Sequence, residues 1–327
     1  MKIGVVIPTR NEEGNVERIY ERLTEIFRKE LPQFDYEILY IDNKSTDRTR
    51  GILEELCKRD KRVKCIFNVH DFEYFHSVYH GMTQSDGDAT FLINCDMQEP
   101  PEMLVDFVRE WQAGTTVVLG IKEKSNDPLW IQCFRKIYYW TVACLAESKQ
   151  IAHCNGFGLY DRSYIQILRD LDDRDPYPKN LVVEYASSIK TLPYHQERRK
   201  SGRGTTNFFR LYDFAMTGIT STSKIVLRMC TFIGMIISLI AIGIGISAVV
   251  SKLMHWDNFQ FGIAGIAAGV FFLGGIELFF LGILGEYILS ISKRVTHRPV
   301  VVEERRLNFE CTNTQKKGDQ EEGNTLS

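Results

Sequence analysis

FLINCDMQEPPE, residues 91–102, is where an apolar run stops and chemistry begins. The run ends on Asn94, Asp96 and Gln98, three oxygen-bearing side chains two residues apart, just before the pair Pro100 and Pro101. If a strand continues through them, alternation puts all three on one face where the chain leaves a sheet. Such a cluster is expected to cradle a hard cation, because Mg2+ and Mn2+ favour oxygen ligands.

Upstream, the same type of segment recurs. KIGVVIP, YEILYID, VKCIF, ATFLINC and, downstream, TVVLG are short β-rich runs, and the stretches between them have helical spacing. In PEMLVDFVREW, Met103, Leu104, Phe107, Val108 and Trp111 fall on one helical face, and Pro101 suits a first turn. In KSTDRTRGILEEL, Ser45 and Asp47 are capping residues for an amphipathic run. Alternation of strand and helix predicts an α/β fold with a mostly parallel sheet flanked by helices, whose ligands bind beyond the carboxyl ends of the strands.

The chain has 327 residues, 44% of them hydrophobic, enough for one or two domains with a sizeable core. A formal net charge of -2 provides no global basic field and argues against nucleic acid as a partner. The eight cysteines form no C-x-x-C pair, and His70, His76, His80 and His153 have no zinc spacing, so reduced packing thiols and no zinc site are expected. MKIGVVIPTRNEE breaks at a proline after a strand-length apolar run and does not read as a signal peptide.

Two long apolar segments follow. MCTFIGMIISLIAIGIGISAVV, residues 229–250, is free of charge and as a helix spans the ~30 Å of a bilayer core. A second runs from Phe259 to about Ile291, interrupted by Glu277 and Glu286. Arg210, Lys224 and Arg228 precede this hairpin and Lys293, Arg294 and Arg298 follow it, while the intervening loop has Lys252 alone. By the positive-inside rule both termini are cytoplasmic. Glu277, near the bilayer midplane, is expected to be protonated or partnered, in a helix contact that Gly274 and Gly275 bring close. The polar tail after Val302 reads as disordered, most of all at its end. The expected organisation is a catalytic domain over 1–204, an interfacial amphipathic region over 205–224, two transmembrane helices over 225–292 and a cytoplasmic tail over 293–327.

Three strand ends are loaded with polar groups: PTRNEE from Pro8, DNKSTD from Asp42 and NCDMQ from Asn94. With GFGLYDR (156–162), RRKSGRG (198–204) and LGILGEY (281–287), these segments resemble a family 2 glycosyltransferase of GT-A fold. More narrowly they resemble the membrane-anchored polyprenyl-phosphate glycosyltransferases, the group of the bactoprenol glucosyltransferases and dolichol-phosphate mannose synthases. The resemblance covers about residues 2–300.

It implies that Pro8, Thr9, Asn11, Glu12, Asp42, Asn43 and Ser45 line a nucleotide pocket. Asp42 would accept the uracil imide N–H and Glu12 a ribose hydroxyl. Asn43 replaces an aspartate common in the family, which implies weaker base recognition. It implies a metal site for Mg2+ or Mn2+ at Asp96, Gln98 and Asn94, where the family's D-x-D-x-Q has become N-x-D-x-Q. Gly156 stands where relatives have an aspartate, and nearby Asp161 is not expected to act as a base. Lys122, Lys124, Arg199 and Arg203 would supply positive charge to the phosphates, so Asp96, Lys122, Arg199 and Arg203 form the catalytic set. Phe208, Phe209, Leu211, Tyr212 and Phe214 would lie in an interfacial helix at headgroup level.

The function this implies is inverting transfer of a hexose, glucose from UDP-glucose, onto polyprenyl phosphate at the cytoplasmic leaflet of the plasma membrane. The same chemistry with GDP-mannose or an amino-sugar donor, or a catalytically weak membrane scaffold, are the alternatives. The implied partners are a nucleotide sugar, the lipid phosphate, the bilayer, further copies of the chain in a homo-oligomer such as a tetramer, and a flippase.

Overall fold

The computed structural model describes residues 1–122, 151, 154–174, 176–196, 225–254, 263–296 and 299–309. The N-terminal part alternates without exception: β1 (Lys2–Thr9), α1 (Val16–Lys29), β2 (Asp35–Asp42), α2 (Thr49–Arg59), β3 (Val63–Asn68), α3 (Tyr74–Gln84), β4 (Ala89–Leu92), α4 (Met103–Gln112) and β5 (Val117–Lys122). There follow β6 (Gly158–Asp161), α5 (Arg162–Leu171), α6 (Pro178–Tyr185), β7 (Ile189–Tyr194), the long helices α7 (Ile225–Met254) and α8 (Ile263–Val295), and β8 (Glu303–Leu307).

Among the described residues, eight strands join one sheet in the order β7-β5-β6-β4-β1-β2-β3-β8. β6 and β8 run antiparallel to their neighbours and the other six share one direction. This bears out the α/β class and the mostly parallel sheet. The central strands are apolar on both faces because helices cover both. Ile3, Val5 and Ile7 of β1 pack with Ile19 and Leu23 of α1 and Phe107 of α4. Val6 joins Leu39, Ile41, Val78, Met82 and Leu168 on the other side. In α4 the expected stripe is buried at Leu104, Phe107, Val108 and Trp111, with Met103 at its rim. Each such side chain contributes about 1.5–3 kcal/mol by leaving water, and a Phe107→Ala cavity would cost about 3–5 kcal/mol. Pro101 lies just ahead of the helix, its carbonyl accepting the Leu104 N–H at 3.1 Å.

The tail reading fails at residues 303–307. They form β8, paired with β3 through Cys65↔Leu307 and Phe67↔Arg305, and the Val69 N–H donates to the Val302 carbonyl at 3.0 Å. Composition misleads here because an edge strand is held by ladder hydrogen bonds and needs no buried face. Glu303 meets His80 at 2.5 Å, Glu304 meets Arg50 and Lys44, and Arg305 pairs with Glu54 while lying over the Phe67 ring.

α7 and α8, of 30 and 33 residues, expose their apolar side chains, among them Phe232, Leu239, Phe272, Leu278 and Phe279. Among the described residues, Phe272–Leu289 is long and apolar enough to cross a membrane. Glu277 is exposed on α8. The expected interfacial region, 205–224, lies outside the described residues.

Candidate active site

The chain builds the sheet outward from β1 in two directions, β2 and β3 on one side and β4 on the other. At such a reversal the loops leaving the carboxyl ends diverge and open a crevice. The three polar strand ends meet there.

The β1 and β2 exits are laced together. Thr9 lies opposite Asp42 in the ladder, and the Asn43 N–H donates to the Thr9 carbonyl at 2.9 Å. Pro8 is half-buried beside Thr9, which is buried. The Asn11 N–H donates to Ser45 Oγ at 2.9 Å, and Asn11 Oδ1 accepts the Thr46 N–H at 2.7 Å. Asn11 does this with φ 53, a left-handed conformation that asparagine tolerates. Ser45 is therefore a lacing group, and capping falls to Asp47, whose Oδ1 accepts the Thr49 N–H at 3.0 Å. Glu12 is buried, with Asn15 Nδ2 donating to its carboxylate at 2.5 Å.

Asp42 is fully buried. Burial raises its carboxyl above the usual range, against the pull of the Ser45 hydrogen bonds and of Arg50, whose Nε is 3.1 Å away. Arg50 also lies over Phe67 and reaches Glu304 Oε2 at 2.9 Å, so β8 touches the group that holds Asp42.

Asn43 is tied to the protein on every side. Its amide donates to Asp71 Oδ1 at 3.0 Å and to the Phe72 carbonyl at 2.6 Å, while Oδ1 accepts from Asn68 Nδ2 and the Phe72 N–H. All four hydrogen-bonding positions are occupied. Asn43 thus pins the loop from Asn68 to Phe72, and Arg10 pairs with Asp71 from the β1 side.

That loop leads to Tyr74, whose hydroxyl donates to Asn94 Oδ1 at 2.7 Å and so joins the two halves of the crevice. At this exit the strand reading is corrected. β4 stops at Leu92, and the chain turns through residues 95–97 with Met97 at φ 56, so alternation does not align Asn94, Asp96 and Gln98. The turn brings Asp96 and Gln98 together instead, while Asn94 is held by Tyr74 and Glu99. Asp96 and Gln98 are half-buried, the Gln98 N–H donates to Asp96 Oδ1 at 3.2 Å, and Gln196 Nε2 donates to Gln98 Oε1 at 2.8 Å.

Beneath the turn sits Glu99, a residue the sequence reading passed over. It is 1% exposed and accepts the Asn94 main-chain N–H and Nδ2, both at 2.9 Å, and Asn155 Nδ2 at 2.5 Å. Burial pushes its carboxyl up to about 7 even though Asn94 and Asn155 favour the charged form. A glutamate directly after a metal-type motif was the available signal, but only folding shows that it points inward.

Lys122 ends β5, level with Tyr194 of β7. Asp161 caps α5, accepting the Ser163 N–H at 2.8 Å and Trp111 Nε1 at 2.7 Å, consistent with a structural role. Gly156 has φ +97, which a glycine adopts without strain. Lys124, Arg199 and Arg203 lie outside the described residues. Among the described residues, no three His, Cys, Asp or Glu side chains group as a metal cage.

The model of glycosyl transferase family 2 matches residues 4–165. An uncharacterized glycosyltransferase of Synechocystis is 27% identical over 301 residues, 92% of this chain and 94% of that protein. A bactoprenol glucosyl transferase of Shigella phage SfV is 28% identical, covering 91% of this chain and 97% of its own length. The solved mannosyl-3-phosphoglycerate synthase of Rubrobacter xylanophilus gives a TM-score of 0.45 at 13% identity, over 72% of this chain and 75% of that one.

Proposed function

Because residues 4–165 make this chain a member of glycosyl transferase family 2, we propose that it moves a hexose, glucose from UDP-glucose, onto polyprenyl phosphate with inversion at the anomeric carbon. The observation that carries this reading is the meeting of the β1, β2 and β4 exits at the sheet reversal, with Asp42 on one side and Asp96 on the other. The relative named bactoprenol glucosyl transferase, matched along nearly its whole length, supports the acceptor.

In this reading Pro8, Thr9, Asn11, Glu12, Asp42 and Ser45 hold the nucleoside, and Asn43 acts through the loop it pins. The lipid phosphate is already ionised at neutral pH, so its oxygen attacks the anomeric carbon without a strong base. The bond to UDP breaks in the same displacement, its electron pair leaving on the β-phosphate oxygen. Lys122, Arg199 and Arg203 supply positive charge to the phosphates, and in-line positioning does the rest.

The donor set at residues 94–98 is all oxygen with one carboxylate, which fits a Mg2+ or Mn2+ ion completing its shell from the diphosphate rather than a resident caged ion. Asp96 and Gln98 would hold it, with Asn94 behind them. When bound, the ion neutralises charge that grows on the leaving diphosphate.

The chain before α7 and the strand after α8 belong to one sheet, which supports an even number of membrane crossings. Two crossings by α7 and α8, with the sheet and both termini cytoplasmic, accord with the flanking lysines and arginines.

The test is to incubate the full chain in detergent with polyprenyl phosphate, Mg2+ or Mn2+ and a panel of nucleotide sugars, following the glycolipid by mass spectrometry. UDP-glucose is expected to yield a hexosyl phospholipid. Transfer from GDP-mannose alone would replace the donor, and no transfer from any donor would overturn the enzymatic reading.

A further inference from the structure

Asn94 stands where the family resemblance implied a carboxylate, and the structure gives the amide a use. Its Nδ2 and main-chain N–H both donate to Glu99, while its Oδ1 accepts from Tyr74. Glu99 also takes Asn155 Nδ2, from the segment just before β6. One buried carboxylate therefore fastens the β4 exit to the 155 loop, and Tyr74 fastens it to the loop that Asn43 pins. A carboxylate at 94, itself half-buried, would bring two acceptors together where a donor is required, against a Glu99 that water does not reach.

We propose that Asn94 and Glu99 form a matched donor–acceptor pair that positions the Asp96 turn, and that the amide at 94 is required by Glu99 rather than being a weakened metal ligand. This rests on the reading of the β4 exit as the diphosphate end of the site. Both residues are positioning residues: they act on the reacting groups through the turn that bears Asp96 and Gln98. The pair has a polarity that can be reversed. Glu99→Gln supplies an N–H2 to a carboxylate at 94 and keeps an oxygen for the main-chain N–H. Asn155 can turn its carboxamide to match, and Tyr74 still donates.

The experiment is a double-mutant cycle on the full chain in detergent, with Asn94→Asp, Glu99→Gln and both together. Two readouts are taken: the unfolding midpoint in EDTA, and kcat with the Mn2+ concentration giving half-maximal transfer. Each single change is expected to lower the midpoint and to cut kcat by about tenfold or more, through an unsatisfied buried group. The combined change, which keeps the net charge, is expected to recover most of both losses, with KM for the donor moving less than kcat throughout. Two results would overturn the pairing: Asn94→Asp leaving the midpoint unchanged while lowering the Mn2+ requirement, which makes residue 94 a metal ligand, or losses that add in the double variant. If the unaltered chain transfers no sugar, the functional reading fails separately, and the midpoints in EDTA still decide the pairing.

Discussion

Asn43 at the end of β2 and Asn94 at the end of β4 each neighbour an aspartate of the crevice, and each spends its amide on the protein. Asn43 donates to Asp71, whose side chain is 32% exposed, and to a main-chain carbonyl. Asn94 donates to Glu99, which is 1% exposed. The chemistry of the two residues is the same and the burial of their partners is not. Asn43 is itself buried and Asn94 half-buried, but water reaches Asp71 and does not reach Glu99, so identical substitutions should separate if partner burial governs the cost.

The largest effect expected bears on the aspartates. Asp96→Asn removes the carboxylate of the 94–98 turn and should lower kcat by about 100-fold or more, as loss of metal-assisted charge neutralisation does. Asp42→Asn should instead raise the Kd for UDP by about tenfold, one charge-assisted hydrogen bond, with kcat less affected. Steady-state kinetics and calorimetry separate the two, and equal losses in both quantities from both variants would erase the division between the β2 and β4 exits.

Next comes the matched pair of substitutions. Asn43→Asp should weaken UDP binding by only about threefold, since a partly exposed neighbour screens the new charge. Asn94→Asp should do more damage, to turnover. An Asn43→Asp variant as impaired as its counterpart would mean that partner burial is not what governs the cost.

A smaller effect is expected from Glu304→Ala. Glu304 orients Arg50, which holds Asp42, but its carboxylate lies in solvent, so a loss of about twofold in UDP affinity is expected. Arg50→Ala should absorb that loss, leaving Glu304→Ala without further effect in the double variant.

The smallest is an acid dependence confined to β8. Burial alone would raise the Glu303 carboxyl, but the hydrogen bonds from His80 and Arg306 outweigh it and hold it at about 2. Its folded value is below its unfolded one, so its contribution is complete above the ordinary carboxylate range and is lost as pH falls through about 2. Amide exchange at residues 303–307, corrected for its intrinsic pH dependence, should lose protection in that window. Glu303→Gln should flatten the slope.

Much of the sheet could be read from sequence because each parallel strand is apolar on both faces and bounded by a turn, as KIGVVIP and YEILYID are. The helix α4 was legible from its spacing. β8 was not, because EERRL carries its pairing in main-chain groups and surface charges, which leave no hydrophobic period. At the site, residue types identified the right loops but not their geometry. Asn94, Asp96 and Gln98 suggested alternation, whereas a left-handed Met97 makes a turn. The contacts of the Asn43 amide with Phe72 and Asp71 could not be read from its type. Glu99 offered only its place directly after the 94–98 motif, since its inward direction depends on Asn155, more than fifty residues away.

β8 also limits how this protein can be dissected. A fragment ended before α7, the obvious way to obtain a water-soluble enzyme, discards residues 303–307 along with the apolar helices. It leaves β3 with one side of its ladder open, a template for strands of other molecules and hence for clumping or swapped dimers. Arg50 would lose its Glu304 contact in the same cut. A soluble version would have to return EERRL to the β3 edge, as an added peptide or through a linker replacing the helices.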